Sequence, residues 1–438
     1  MAMERVRVIG GGLAGCEAAW RLARTGVGVD LYEMKPVKFS PAHTSELLAE
    51  LVCSNSLRSN EIESAVGLLK EEMRRLGSLV MEAADICRVP AGKALAVDRE
   101  RFAASVTSRV EALAEVRLIR EEVTTLDPER LTVLAAGPLV SEPLAEALAG
   151  LIGAGHLHFY DAISPIVTAE SIDMTRAFIQ SRYDETGQGD YLNCPMSEPE
   201  YANFIEALGE ADRVEVRPFE EARYFEGCLP IEVMAERGAD TLRFGPMKPV
   251  GLTDPTTGQR PHAVVQLRRE NAAGTLYNLV GFQTRMKRPA QDRVLRLIPA
   301  LAQAEFARYG SIHRNTFIHG PKHLNARLQL IEAPRVLLAG QISGVEGYVE
   351  SAAMGILAGE NAARLASDRG LVTPPPTTAH GALVAHLTDP TPRNFQPANV
   401  NFGLFAPAPG VPKKQRKAFM AQRALSDLTA WMGELAEN

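Results

Sequence analysis

Cysteine is scarce in this chain, five in 438 residues. Cys16, Cys53, Cys87, Cys194 and Cys228 contain no Cys-x-x-Cys pair. That spacing excludes a local zinc or dithiol site, and the odd number argues against a disulfide framework. No run of about 18 uninterrupted apolar residues occurs, so a membrane-spanning helix is not expected. The start, Met1 to Arg5, lacks a basic region followed by an apolar one, and a reducing cytoplasm is the expected location. Positive charge is in deficit: the formal net charge is −6, the wrong sign for coating nucleic acid over the whole surface. A nucleic-acid partner would need a local basic patch. Internal repeats and low-complexity tracts are also missing. What is present is an ordinary globular composition, 46% hydrophobic and 23% charged, long enough for about three folding units at ~150 residues each.

The first 33 residues carry the most information. Arg5 to Ile9 is a β-branched run that ends in Gly10-Gly11-Gly12. Leu13 to Arg24 then offers a helix-favouring mixture, and Val27 to Tyr32 returns to strand. Gly10, Gly12 and Gly15 fall at G-x-G-x-x-G spacing, and Glu33 closes the second strand. In such a unit the first glycine permits the tight turn, the second lets a pyrophosphate approach the backbone, and the third lets the helix pack closely on the sheet. The helix N-terminus, Leu13 and Ala14 included, offers free N–H groups to phosphate, and Glu33 accepts hydrogen bonds from a ribose. A dinucleotide site is the reading; a glycine-rich structural turn and an S-adenosylmethionine site are the alternatives.

A second strand-to-turn-to-helix pattern lies far along the chain. Arg335 to Ala339 reads as a buried strand, followed by Gly340-Gln341-Ile342-Ser343-Gly344-Val345-Glu346-Gly347, Tyr348, and a small-residue helix from about Ser351 to Ala363. Thr132 to Ala136 reads as another buried parallel strand. The fold expected is α/β, with a Rossmann-like dinucleotide-binding domain split in sequence. Residues 1–149 and 328–438 supply it, and 150–327 form an inserted α/β substrate domain. Ile62, Val66, Leu69, Met73, Leu76 and Val80 recur at spacings of three and four, which predicts the buried face of a helix. A closing helix is expected from about Lys413 to Leu435.

Candidate chemistry centres on two cysteines. Cys53 lies in Glu50-Leu51-Val52-Cys53-Ser54-Asn55-Ser56-Leu57-Arg58, at a junction of apolar and polar residues with a cation nearby, a setting that raises thiolate content. Cys228 lies in Phe225-Glu226-Gly227-Cys228-Leu229-Pro230, an ordered-turn pattern. Each, on local sequence alone, also fits a small buried hydrophobe, and Cys16 is expected inside the first helix. No metal is expected: His319 and His323 are separated by Gly320-Pro321, and further ligands are missing. Arg268-Arg269, Arg285-Met286-Lys287-Arg288 and Lys413-Lys414-Gln415-Arg416-Lys417 are basic clusters. They read by default as solvated faces, yet would hold an RNA backbone if two lined one cleft.

Several blocks together are recognisable: Gly10 to Glu17, Leu31 to Pro36, Pro41 to Thr44, Ala49 to Arg58, Gly227 to Ala235, Arg243 to Leu252 and Gly340 to Ala353. In these, and in ordered blocks over nearly the whole chain, the sequence resembles the folate- and FAD-dependent tRNA (uracil-5-)-methyltransferases, the TrmFO family. The resemblance implies transfer of the methylene carbon of 5,10-methylenetetrahydrofolate to C5 of the T-loop uridine, position 54 of tRNA. FAD would supply electrons and NADH or NADPH would reduce it. With no second dinucleotide fingerprint, NADH or NADPH is expected as a transient visitor to the same pocket. FAD would be held by Gly10, Gly11, Gly12, Leu13, Ala14, Gly15 and Glu33 from one end of the chain. Gly340, Gln341, Gly344, Gly347 and Tyr348 would hold it from the other. The resemblance also implies Cys228 as nucleophile and Cys53 as base or partner thiol, the reverse assignment staying open; local positive charge should favour a thiolate, and Arg58, Arg223 and Arg243 are the candidate cations by sequence position. A flavin oxidoreductase acting on a small molecule without RNA is the main alternative; a silent RNA-binding module that keeps FAD for structure is a third.

Overall fold

In the computed structural model, which describes residues 4–153, 157–182, 189–215, 229–391 and 395–437, the glycine-rich N-terminus forms β1 (Val6–Ile9), α1 (Leu13–Arg24) and β2 (Val29–Tyr32). Short apolar strands buried on both faces favour parallel pairing with helices covering the sheet. Five strands form one parallel sheet in the order Val336–Leu338, Thr132–Leu134, β1, β2, Val116–Ile119, the last a half-exposed edge. One edge strand thus comes from the far end of the chain and pairs with Thr132–Leu134 in register Val336 to Thr132.

The chain leaves this sheet and returns to it through an antiparallel ribbon, Leu157–Ile163 against Ser311–Phe317. Between the two lies a six-stranded sheet, antiparallel at every pairing, with Leu192–Met196, Ala263–Arg269 and Leu276–Leu279 at its centre. It has its own core, in which Phe204 and Phe282 pack with ring centroids 6.3 Å apart. A third, small sheet joins Ser56–Ser59, Ala94–Val97 and Arg88–Val89 and carries the segment just after Cys53.

The small-residue helix is longer than its composition suggested, Tyr348–Ala366, and it is the main partner of α1. Gly355 and Gly359 face α1 one turn apart. A β-carbon on Gly355 would fall well inside contact distance of the Ala14 carbonyl oxygen, and one on Gly359 would sit 2.8 Å from Ala18 Cα. The backbones themselves are in contact, which only glycine permits.

The apolar stripe from Ile62 to Val80 is not one helix. It divides into Ala65–Arg75 and Leu79–Ile86. Gly77 takes a left-handed conformation, φ 74°, and the Ser78 hydroxyl then caps the second helix by accepting from Met81 N–H, so local chain-breaking chemistry overrides the periodicity. Ile62 precedes the first helix and is 43% exposed, while Val66, Leu69, Met73, Leu76 and Val80 are buried. The buried carboxylate of Glu17, on α1, accepts from the Ser78 hydroxyl and from Leu79 and Val80 N–H, tying the second helix to the first. The closing helix spans Arg416–Glu437.

The helix contact gives a direct test. Gly355→Ala should destabilise the protein by about 1–3 kcal/mol, the usual cost of overpacking, and Gly359→Ala by less, measured as the shift in denaturant midpoint.

Candidate active site

Gly12 is the N-cap of α1 and no side chain caps that helix, so the first-turn N–H groups and the positive end of the dipole face outward. A β-carbon at Gly12 would meet nothing within 4 Å, whereas one at Gly15 would collide with the Gly10 carbonyl oxygen. The two glycines thus serve different needs: Gly15 lets α1 settle onto the turn, and Gly12 keeps open space above it. Gly10, with φ 104°, makes the turn between strand and helix.

The open space belongs to a cavity that is partly open to solvent. Gly10, Gly12, Leu13, Ala14 and Glu33 line it from the N-terminal unit, and Gly340, Gln341 and Tyr348 from the C-terminal one. Gly11, Gly15, Gly344 and Gly347 do not line it. Gly11 N–H donates to the buried Glu33 carboxylate at 2.9 Å, a β-carbon at Gly344 would strike the Phe395 ring, and Gly347 is the N-cap of Tyr348–Ala366. Glu33 also accepts from Lys35 N–H at 3.0 Å, which fixes its carboxylate at the cavity wall with acceptor capacity to spare. An uncapped helix end, an open glycine and a wall carboxylate fit the phosphates and ribose of a dinucleotide.

Cys53 stands beside this cavity. Its neighbours Glu50 and Val52 line the wall, and the hydroxyl of Tyr348, itself a wall residue, lies 2.8 Å from Cys53 Sγ. The Cys53 loop is gripped from two directions. Arg99, at the start of helix Arg99–Glu111, donates to the Leu51 and Val52 carbonyls and pairs with Glu270 at 2.9 Å. Arg268, in the strand Ala263–Arg269 of the second sheet, donates to Asn55 Oδ1 at 2.8 Å and Ser54 Oγ at 2.9 Å. Asn55 in turn donates to the Val97 and Arg269 carbonyls. Burial lowers the Arg268 and Arg308 pKa values. At Arg99 burial works the same way and is the largest single influence, but Glu270, Tyr348 and Cys53 together outweigh it and the net shift is upward. Guanidinium groups remain charged regardless, so Arg99, Arg268 and Arg308 all act on Cys53 as cations.

These are not the cations expected from sequence. Arg58 is paired with Glu350, and Arg243 is held by Asp240 at 2.8 Å and by the His262 carbonyl. Arg223 and Cys228 lie outside the described residues. Cys16 is buried in α1, where burial pushes its thiol pKa up. The Arg268-Arg269 pair is not a solvated face: Arg268 is 6% exposed and points inward. A signal was available in the strand, where Arg268 follows a run, Ala263 to Leu267, that is apolar but for Gln266. Arg99, Glu270 and Arg308 had none, because only the tertiary fold brings them to Cys53. His319 and His323 flank a single helical turn, Gly320–His323, and His323 pairs with Glu332 at 2.7 Å. Lys413, Lys414, Arg416 and Lys417 are exposed.

The family described as "Glucose inhibited division protein A" matches residues 5–370. A methylenetetrahydrofolate–tRNA-(uracil-5-)-methyltransferase TrmFO from Geobacter sulfurreducens is 59% identical over 98% of this chain and 98% of its own length. The TrmFO protein of Geotalea uraniireducens is 57% identical over 99% of this chain and 100% of its own. This chain belongs to the TrmFO family. Among solved structures, GidA of Aquifex aeolicus matches the TrmFO-family fold seen here with a TM-score of 0.73 at 17% identity, over 99% of this chain and 74% of that one. At that identity the match concerns the fold alone. Among the described residues no group of three or more His, Cys, Asp or Glu is arranged to hold a metal, and no helix is long and apolar enough to cross a membrane.

Two substitutions test the site. Gly12→Val fills empty space and should give protein with the parent's circular dichroism spectrum but little dinucleotide released on heating. Arg268→Met leaves Ser54 and Asn55 without their buried donor and should cost about 2–4 kcal/mol in denaturant unfolding, with Arg268→Lys recovering only part.

Proposed function

We propose that this chain is a folate- and FAD-dependent tRNA (uracil-5-)-methyltransferase that forms 5-methyluridine at position 54. The observation that carries this reading is Cys53, set in a cationic loop against a dinucleotide cavity, in a chain that aligns end to end with TrmFO proteins. That alignment does not favour the small-molecule oxidoreductase. The cavity's residues fit FAD: the α1 N-terminus and Gly12 would take the pyrophosphate, Glu33 a ribose, and Gly340, Gln341 and Tyr348 the far end. Bound FAD supplies the two electrons by which a methylene carbon falls short of methyl, and NADH or NADPH is the external source of them.

The protein's part is acid–base and covalent chemistry. C5 of uracil is a poor nucleophile until a thiolate adds at C6 and pushes electron density to C5, the role we assign to Cys228. Once C5 has bonded to the methylene of 5,10-methylenetetrahydrofolate, its proton must leave, and Cys53 is our candidate base. The Arg99–Glu270 pair and Arg268 hold the Cys53 loop in place, and the surrounding guanidinium groups favour its anionic form. The T-loop uridine is stacked inside folded tRNA, so it must be turned out before a thiol reaches C6. The exposed run Lys413 to Lys417 is our candidate for part of the RNA surface.

The test is purified protein with unmodified tRNA, labelled 5,10-methylenetetrahydrofolate and NADH or NADPH. Label is expected in 5-methyluridine at position 54, and Cys53→Ser or Cys228→Ser should each lower its formation by about 10²-fold or more. Flavin oxidation by a small substrate without label in tRNA would defeat the reading.

A further inference from the structure

The Tyr348 hydroxyl has one proton and two lone pairs. Cys53 N–H approaches its oxygen at 2.7 Å and Ser54 N–H at 3.3 Å. Amide N–H groups only donate, so these two contacts occupy both lone pairs. The remaining neighbour is Cys53 Sγ, at 2.8 Å. The hydroxyl has nothing left to offer it but its proton, and the sulfur is therefore the acceptor. A sulfur that accepts from a buried hydroxyl is stabilised as the anion, since hydrogen bonds to a charged partner are about twice as strong as neutral ones.

We propose that Tyr348 is a positioning residue that donates its hydroxyl proton to Cys53 Sγ and so holds Cys53 as a thiolate before substrate arrives. The surroundings agree. Among the described residues, four elements bring polar groups to this sulfur: Tyr348 from the start of its helix, Arg99 from the start of Arg99–Glu111, Arg268 from Ala263–Arg269, and Arg308 from the strand Phe306–Arg308. Against these cations stand Glu270, paired with Arg99, and Glu50, which lies 3.5 Å from Lys35 Nζ. Arg58 and Glu350 neutralise each other. Among the described residues the balance around Cys53 is positive. Burial, then the charge on Cys53, pushes the Tyr348 phenol well above its usual range, so it keeps the proton it donates.

The inference rests on the reading of Cys53 as a working thiol and deepens it. A cysteine already ionised enters the reaction as a proton acceptor or nucleophile and not as an acid. As base, Cys53 takes the C5 proton onto Sγ while the electron pair of the broken C–H bond stays with the ring, and it leaves the step as a neutral thiol. Tyr348 needs no proton of its own to move.

Alkylation by iodoacetamide, read at the Cys53 peptide by mass spectrometry, tests this on the purified holoenzyme. The rate against pH should show a midpoint at least about one unit below the ~8.5 of an ordinary thiol. Tyr348→Phe keeps the ring and removes only the oxygen; it should raise the midpoint by about one unit and slow alkylation at neutral pH several-fold, with bound flavin measured on the same samples. This readout needs no tRNA, so a failed methylation assay with the alkylation shift intact would count against the RNA reading and leave the thiolate assignment standing. An unshifted midpoint in a variant that retains flavin overturns the proposal. Should the variant lose flavin, the wild-type midpoint decides alone: a low value supports the proposal, and one at or above the ordinary thiol value overturns it.

Discussion

The dinucleotide cradle has one wall from each end of the chain, and the walls meet because two helices approach until their backbones touch. Gly355 and Gly359 lie against Ala14 and Ala18 of α1, leaving no room for a side chain between them. That contact fixes where the second helix begins. Its N-cap, Gly347, follows the turn whose residues Gly340 and Gln341 complete the cavity, and its first residue, Tyr348, reaches Cys53. Push the helices apart by the width of one methyl group and the cofactor walls, the tyrosine and the cysteine loop all lose register together.

The second organising force is charge at the boundary between the two sheets. Buried arginines are costly unless every donor is used, and here the main chain and side chains of the Cys53 loop use many of them: the Leu51 and Val52 carbonyls, Ser54 Oγ and Asn55 Oδ1. The same guanidinium groups that order the loop concentrate positive potential on its sulfur. Order and electrostatics come from one set of residues, which explains why a net-negative protein presents so cationic a setting at this one place.

Local chemistry made part of this legible in advance. The β1–α1–β2 unit, its glycines and Glu33 could be read because all their constraints fall within 33 consecutive residues, and the second glycine turn because strand and helix again flank it directly. The helix break at Gly77 was hidden by an apolar period that runs on through it, though the Gly-Ser pair holds the information. Arg58, Arg223 and Arg243 were candidates because they are near Cys53 and Cys228 in sequence, and of these two cysteines only Cys53 lies within the described residues. The groups that act on Cys53 lie about 46, 215 and 255 positions further along the chain. No period or motif encodes such a convergence; it arises when the inserted sheet docks on its host.

That docking has a consequence for how the molecule can change over time. Arg268 and Glu270 are written in the insert, Arg99 and Ser54-Asn55 in the host, yet they form one polar lattice. Such an insert is no interchangeable cassette. Replacing it by recombination would strand buried charges on both sides of the seam unless the new segment brought matching partners, although the chain spells these positions in three separate places.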